Sequence, residues 1–232
     1  MFNSNLNVEH EYSQLAENTL RLWNQNPGSG DFQELPDGYW KFGISTGSYF
    51  QIPKLLQPLI DAIENIRQLD ANLVTIPSGC HHFTFLALAG HEFDEFQSLP
   101  KEIFDLKNLC DRFLNFPIWQ LDSLRLLPGP NFLLLVGTPT PELIALRERF
   151  AAELLVSPWR TYILNRHEYK GYPFPPRIWH TTLCRYKAQF LPESLRQLYH
   201  EFKDQRFGSI HLEPPLLRRV NYDWSVTSLV RG

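Results

Sequence analysis

Cys80-His81-His82-Phe83-Thr84-Phe85-Leu86 and Trp179-His180-Thr181-Thr182-Leu183-Cys184 are the two stretches on which the fold of this chain turns. Each holds His-x-Thr followed by a large apolar side chain. On a strand, alternate side chains share a face, so His82 and Thr84 point together while Phe83 and Phe85 enter the opposite layer. The same parity pairs His180 with Thr182 and puts Leu183 behind them. A single tetrad of this kind says little, because a lone strand histidine is more often a hydrogen-bonded structural residue. Two copies at matching places in two similar halves say more.

Moving outward from each tetrad, the same order of elements recurs. In the first half, Tyr39 to Ile52 predicts a strand, and Pro53 opens a helix on which Leu55, Leu56, Leu59, Ile63, Ile66 and Leu69 fall three or four apart. Leu73 to Ala89 then reads as strand around the Pro77-Ser78-Gly79 turn. Leu99-Pro100 begins a helix carrying Ile103, Leu106, Leu109, Cys110 and Phe113, and Ile118 to Leu127 returns as strand. In the second half, strand Phe132 to Gly137 leads to a helix that Thr140 caps and Pro141 starts, with Leu143, Leu146, Phe150 and Leu154 on one face. Strand Ile178 to Tyr186 follows, then Leu191-Pro192 and a helix bearing Leu195, Leu198 and Phe202. Ile210 to Leu212 and Leu216 to Val230 close the chain as strands. The expectation is an α+β fold over residues 39–232: a bilobal, pseudo-twofold duplication with two antiparallel sheets backed by helices around a central cleft. Residues 1–38 read as an N-terminal helical extension and connector, with Leu15, Leu22 and Trp23 near helical spacing before Asn26-Pro27-Gly28.

Composition narrows the function classes. A chain of 232 residues, 43% hydrophobic, has enough apolar material for a real core. Its net charge of -3 provides no global field to attract a long polyanion, so any phosphate recognition must be local. The longest apolar run, Phe132 to Val136, is far short of the roughly 20 residues of a membrane-crossing helix. Glu9, His10, Glu11 and Glu17 break every candidate secretory stretch. Cys80, Cys110 and Cys184 are odd in number and lack CxxC spacing, which predicts neither a disulfide framework nor a structural zinc site. A cytoplasmic location, no membrane association, no stable protein partner and a monomer are the corresponding expectations.

Two histidines suit phosphodiester cleavage because one proton must leave the attacking oxygen and another must reach the leaving oxygen. Imidazole, with an unperturbed pKa of about 6.5, serves as base in one copy and acid in the other, without a metal. Each threonine hydroxyl can donate to a nonbridging phosphate oxygen. In these residues the chain resembles the two-histidine phosphoesterase superfamily, which includes bacterial RNA 2',3'-cyclic phosphodiesterases once called 2'-5' RNA ligases. His82-Phe83-Thr84-Phe85 is similar to the first His-x-Thr-hydrophobic element, and the stretch through Gly90 resembles its continuation with one extra residue. His180-Thr181-Thr182-Leu183-Cys184-Arg185 is similar to the second, trailing arginine included. The resemblance implies His82 and His180 as the acid-base pair, Thr84 and Thr182 as phosphate hydrogen-bonders and Arg185 as a phosphate contact. Strict strand alternation puts Arg185 on the face away from His180, against that role, unless the strand ends or bulges.

The implied activity is metal-independent hydrolysis of a 2',3'-cyclic phosphate or 2',5'-phosphodiester on a small nucleotide or RNA end, with no cofactor and no metal site. Two alternatives stay open: a non-catalytic nucleotide or RNA-end binding module, and an RNA ligase running the reverse reaction. The stretch 160–187 is basic, with Arg160, Arg166, Lys170, Arg177, Arg185 and Lys187 against Glu168, and holds Tyr162, Tyr169, Tyr172, Phe174 and Trp179. It reads equally as a nucleobase-stacking loop over the cleft or as a solvated connector. Alternation sends His81 away from His82 and puts Cys80 and Cys184 on the histidine face, where they behave as small buried hydrophobes. His10, His91, His167, His200 and His211 lack metal-ligand spacing.

Overall fold

The computed structural model describes residues 4–34, 41–167 and 174–230. Helix α1 (Ser4–Gln25) leads to strand β1 (Phe42–Tyr49), a 3-10 turn at Lys54–Leu56, α2 (Gln57–Leu69), β2 (Leu73–Thr75), β3 (His82–Phe93) and α3 (Ile103–Phe113). Then come β4 (Gln120–Pro128), β5 (Phe132–Pro139), α4 (Pro141–Val156), α5 (Arg160–His167), β6 (His180–Tyr186) and α6 (Glu193–Phe202), followed by β7 (Ile210–His211), β8 (Leu216–Val220) and β9 (Thr227–Leu229). The strands form two antiparallel sheets, ordered β3-β1-β8-β9 and β2-β6-β5-β4-β7. This is the expected α+β fold with two lobes.

Apart from β2, the two strand orders correspond one for one: β3-β1-β8-β9 against β6-β5-β4-β7. The lobes are nevertheless not the two halves of the sequence. β8 and β9, from the end of the chain, complete the first sheet, while β2 and β4, from the first half, belong to the second. Helices cross over in the same sense, α2 packing beside α6 on the second sheet and α4 beside α3 on the first. The stretch 73–89 read as one strand is therefore two. β2 pairs with β6, the chain turns where the Cys80 amide donates to the Pro77 carbonyl at 2.9 Å, and β3 pairs with β1. Edge strands must find hydrogen-bonding partners, and here they find them far away in sequence.

Local physics accounts for the helices. Thr140 caps α4, its hydroxyl accepting from the Leu143 amide at 3.3 Å, a contact worth about 1 kcal/mol. Leu143, Leu146, Phe150 and Leu154 bury against the first sheet, where the Phe150 ring lies 6.1 Å from that of Phe85. α1 turns a different face inward from the expected one. Val8, Tyr12, Thr19 and Trp23 are buried, while Leu15 and Leu22 stay exposed. α1 lies across β4 and β5, where Thr19 donates to the Pro128 carbonyl and Trp23 Nε1 to the Pro130 carbonyl. The chain after it is fastened by Arg196, which donates to the carbonyls of Trp23, Asn26 and Gly28.

Candidate functional site

Both histidine strands break their ladder at the same place. On β3, His82 pairs with Tyr49, Thr84 with Gly47 and Leu86 with Thr46, leaving Phe85 without a counterpart. On β6, His180 pairs with Val136, Thr182 with Leu134 and Cys184 with Leu133, leaving Leu183 over. The bulged residue is in each case the apolar one after the threonine. A bulge adds one residue to one strand and so resets its alternation. Phe85 and Leu86 consequently both enter the core, as do Leu183 and Cys184, and the next residues, Ala87 and Arg185, return to the half-buried histidine face. On β3 the irregularity is satisfied by Thr46, whose hydroxyl accepts from the Leu86 amide at 3.1 Å and donates to its carbonyl at 3.2 Å.

The bulge overturns two expectations from strict alternation. Arg185 shares the face of Thr182, and Cys184 does not: it is fully buried on the other side, where burial pushes its thiol up to about 12. His81 is buried, as expected of a structural residue.

The two lobes contribute jointly to one hollow of about 40 Å3, lined by His82 from the first and Thr182 and Arg185 from the second, with Val74, Ile76, Tyr222 and Asp223 around them. His82 Nδ1 lies 2.8 Å from the Cys80 carbonyl oxygen. A carbonyl only accepts, so Nδ1 carries the proton and Nε2 of the neutral ring is left as the basic nitrogen. Burial above all holds this ring down to about 4, with the neighbouring His81 adding to the effect. His180 is depressed further, to about 3, by burial and then by Arg185, Arg147 and the His82 ring, whose charge at low pH opposes a second one. Arg185 is clamped between two rings, its guanidinium carbon 5.3 Å from Phe132 and 5.3 Å from Tyr222. That fixes a planar fork of donors beside Thr182.

His180 and Thr84 are on the histidine faces of their strands but do not line this hollow. Trp224 stands over the β3 side, stacked on His82 with ring centroids 4.1 Å apart and planes at 10°. It also lies so close to Gly47, the partner of Thr84, that a Cβ there would come within 2.6 Å of Trp224 Cη2 and of the Phe83 carbonyl oxygen.

Three supports of the site were not singled out in the sequence. Arg147, buried in α4, donates to the Ile178 carbonyl at 3.1 Å and lies 4.2 Å from the Trp179 ring and 5.9 Å from that of Phe85, bracing both histidine strands from behind. A basic residue four positions after Leu143, on the apolar face, was the available signal. Tyr12 donates its hydroxyl proton to the Gly137 carbonyl at 2.9 Å and accepts from the Trp179 amide at 3.0 Å, one residue before His180. The third is the β8–β9 connection, residues 221–226, inside the stretch read as closing strands; its Asn221 and Asp223 are turn formers.

The basic, aromatic stretch is dispersed. Residues 168–173 lie outside the described residues, as does the Arg166 side chain. α5 packs on β3 with Trp159 Nε1 donating to the Leu88 carbonyl at 2.8 Å, Tyr162 stacks on Trp159, and Arg177 pairs with Glu11. Of its described basic and aromatic side chains, Arg185 alone lines the hollow. A larger hollow, about 550 Å3, opens between α3 and the β8–β9 hairpin, lined by Cys110, Leu114, Pro215, Leu217 and Leu229 among others, away from both histidines. Among the described residues no group of three or more His, Cys, Asp or Glu side chains converges as metal ligands, and no helix is long and apolar enough to cross a membrane.

No protein-family model matches the chain, and no curated protein is significantly similar to it in sequence. Solved structures do resemble it. TT0787 of Thermus thermophilus matches with a TM-score of 0.52 at 17% identity, over 82% of this chain and 95% of that one. ATU0111, a conserved protein of unknown function from Agrobacterium tumefaciens, matches at a TM-score of 0.44 and 15% identity, over 84% of this chain and 90% of that one. The first of these shows a common architecture.

Proposed function

We propose that this protein is a phosphodiesterase of the two-histidine type that needs no metal, hydrolysing a 2',3'-cyclic phosphate or 2',5'-phosphodiester on a nucleotide or short RNA end. The observation that carries this reading is the hollow itself: His82 from one lobe faces Thr182 and Arg185 from the other, on strands bulged at equivalent points. One neutral imidazole takes a proton from the attacking water as its oxygen bonds to phosphorus. The other, protonated, delivers a proton to the ribose oxygen as the P–O bond breaks, leaving a phosphomonoester. Thr84, Thr182 and Arg185 hold the nonbridging oxygens where negative charge develops. With both rings depressed well below neutrality, neither is protonated in the free protein near pH 7. The incoming phosphate supplies the missing counter-charge and raises the ring that acts as acid.

The same depression favours a second reading, a module that binds nucleotide without turnover. The deciding experiment incubates the pure protein, in chelator, with 2',3'-cyclic nucleotides, 3',5'-cyclic nucleotides and 2',5'-linked dinucleotides. The expected result is consumption of a 2',3'-cyclic or 2',5'-linked substrate, a rate at least about 10²-fold lower in His82→Ala and in His180→Ala, and unchanged circular dichroism in both. Tight binding without product supports the module instead, and full activity in either variant removes the acid-base assignment. Joining of cyclic-phosphate ends to 5'-hydroxyl ends would mark a ligase.

A further inference from the structure

The hollow between the histidine strands, about 40 Å3, has room for a few waters. Sites that enclose drug-sized ligands run to roughly 300–1,000 Å3. Residues 221–226 close it. Their Tyr222 ring lies 5.3 Å from the Arg185 guanidinium carbon, Asp223 lines the hollow, and Trp224 lies flat on His82 at 4.1 Å. Three successive side chains thus occupy the approach to His82, Thr182 and Arg185.

The segment is stiff within itself. The Asn221 amide donates to the Val226 carbonyl at 3.1 Å, the Val226 amide to Asn221 Oδ1 at 3.0 Å, the Trp224 amide to the Asn221 carbonyl at 3.3 Å and the Ser225 amide to Asp223 Oδ1 at 3.0 Å. Ring contacts tie it to the body, as does the Tyr49 hydroxyl, which donates to the Trp224 carbonyl at 2.9 Å and meets Thr227 Oγ1 at 3.1 Å. Trp224 also has φ 61, a left-handed conformation that a bulky side chain rarely adopts. The segment's own hydrogen bonds on either side of Trp224 hold that backbone in place.

We propose that residues 221–226 are a lid that shuts the site in the free protein and swings away as a body to admit a nucleotide, with Trp224, stacked on His82, as its latch. Opening uncovers the His82 ring and takes Tyr222 off Arg185, so that the guanidinium becomes available to a phosphate in the same movement. The closure follows from the packing alone, while the nature of the ligand rests on the phosphodiesterase reading.

The test uses the full-length protein and two readouts. Modification of the His82 ring by diethyl pyrocarbonate is followed in the wild type and in Tyr49→Phe, which removes the hydroxyl holding the Trp224 carbonyl. Modification there is expected to quicken about tenfold, the worth of one hydrogen bond, with the exposed His200 unchanged; no difference overturns the lid. Binding of adenosine 2'-monophosphate is then followed by stopped flow. In the wild type the observed rate is expected to level off with nucleotide concentration because opening limits it, and in Trp224→Ala to rise linearly and at least about tenfold faster. A linear dependence identical in both proteins overturns the latch. Should Trp224→Ala fail to fold, Tyr49→Phe takes its place in the same comparison. Absence of any nucleotide binding refutes the functional reading and leaves the lid to be judged by the His82 modification data.

Discussion

Strand β3 turns His82, Thr84 and Ala87 to one face, and β6 turns His180, Thr182 and Arg185 to the corresponding one, each with its bulge directly after the threonine. The backbone device is common to both and the side chains it delivers are not. In the first lobe the partner strand offers Tyr49 and Gly47, small and hydroxylated enough for Trp224 to lie over them; in the second it offers Val136 and Leu134. At the position after the bulge, one lobe presents a methyl group and the other a guanidinium held between two rings. His-x-Thr-apolar thus encodes a backbone shape as well as two polar groups, and one lobe, the second, carries a positive charge after the bulge.

Removing the bulge is the most severe way to break the comparison. Deletion of Leu183 restores strict alternation, with Cys184 still inward and Arg185 still on the face of Thr182, and discards a side chain that is 2% exposed. A loss of about 4 kcal/mol is expected, since a large buried side chain is lost and a cavity is left behind it; denaturant unfolding measures it.

Acid provides the next largest effect. Burial holds both imidazoles below their ordinary 6.5, at about 4 for His82 and about 3 for His180. As the pH falls, the unfolded chain therefore binds protons before the folded one. Stability present above about pH 6.5 is lost on the way down through the folded values, by roughly 3 kcal/mol for the buried His82. Unfolding free energies at pH 7 and pH 4 are expected to differ less in His82→Asn than in the wild type.

The threonines and the position after the bulge sharpen the comparison through activity on whichever substrate the panel identifies. Thr84→Val and Thr182→Val are each expected to lower kcat about 10²-fold, the cost of one preorganised donor. Arg185→Ala is expected to raise KM about tenfold, and Ala87→Ser to change kcat/KM less than about twofold. A large effect at Ala87 would mean that both lobes grip the anion.

Much of this was legible in the sequence, and for a physical reason. Helical faces such as Leu143, Leu146, Phe150 and Leu154 repeat every three or four residues, and caps such as Thr140 act on the next turn, so their signal is local. The His-x-Thr pairs were legible in the same way. The buried face of α1 was not, because Tyr12 and Thr19 bury as hydrogen-bond donors to distant carbonyls, which an apolar pattern does not register. Alternation alone misplaces Arg185 and Cys184 because a bulge is a relation between two strands, and β5 is absent from any local view of β6.

By itself the chain determined most of its element types, its duplicated plan and the two histidine strands, all consequences of short-range periodicity and backbone preference; it did not show helix α5, read as loop or connector, or the breaks within 73–89 and 216–230. Tertiary structure alone decided that β8 and β9 cross to the first sheet and β2 and β4 to the second, which face Arg185 takes, and that residues 221–226 fold over His82. Those outcomes depend on hydrogen bonds and packing between segments far apart in the chain, whose pairing is set by competition among all the edges and faces that must be covered at once.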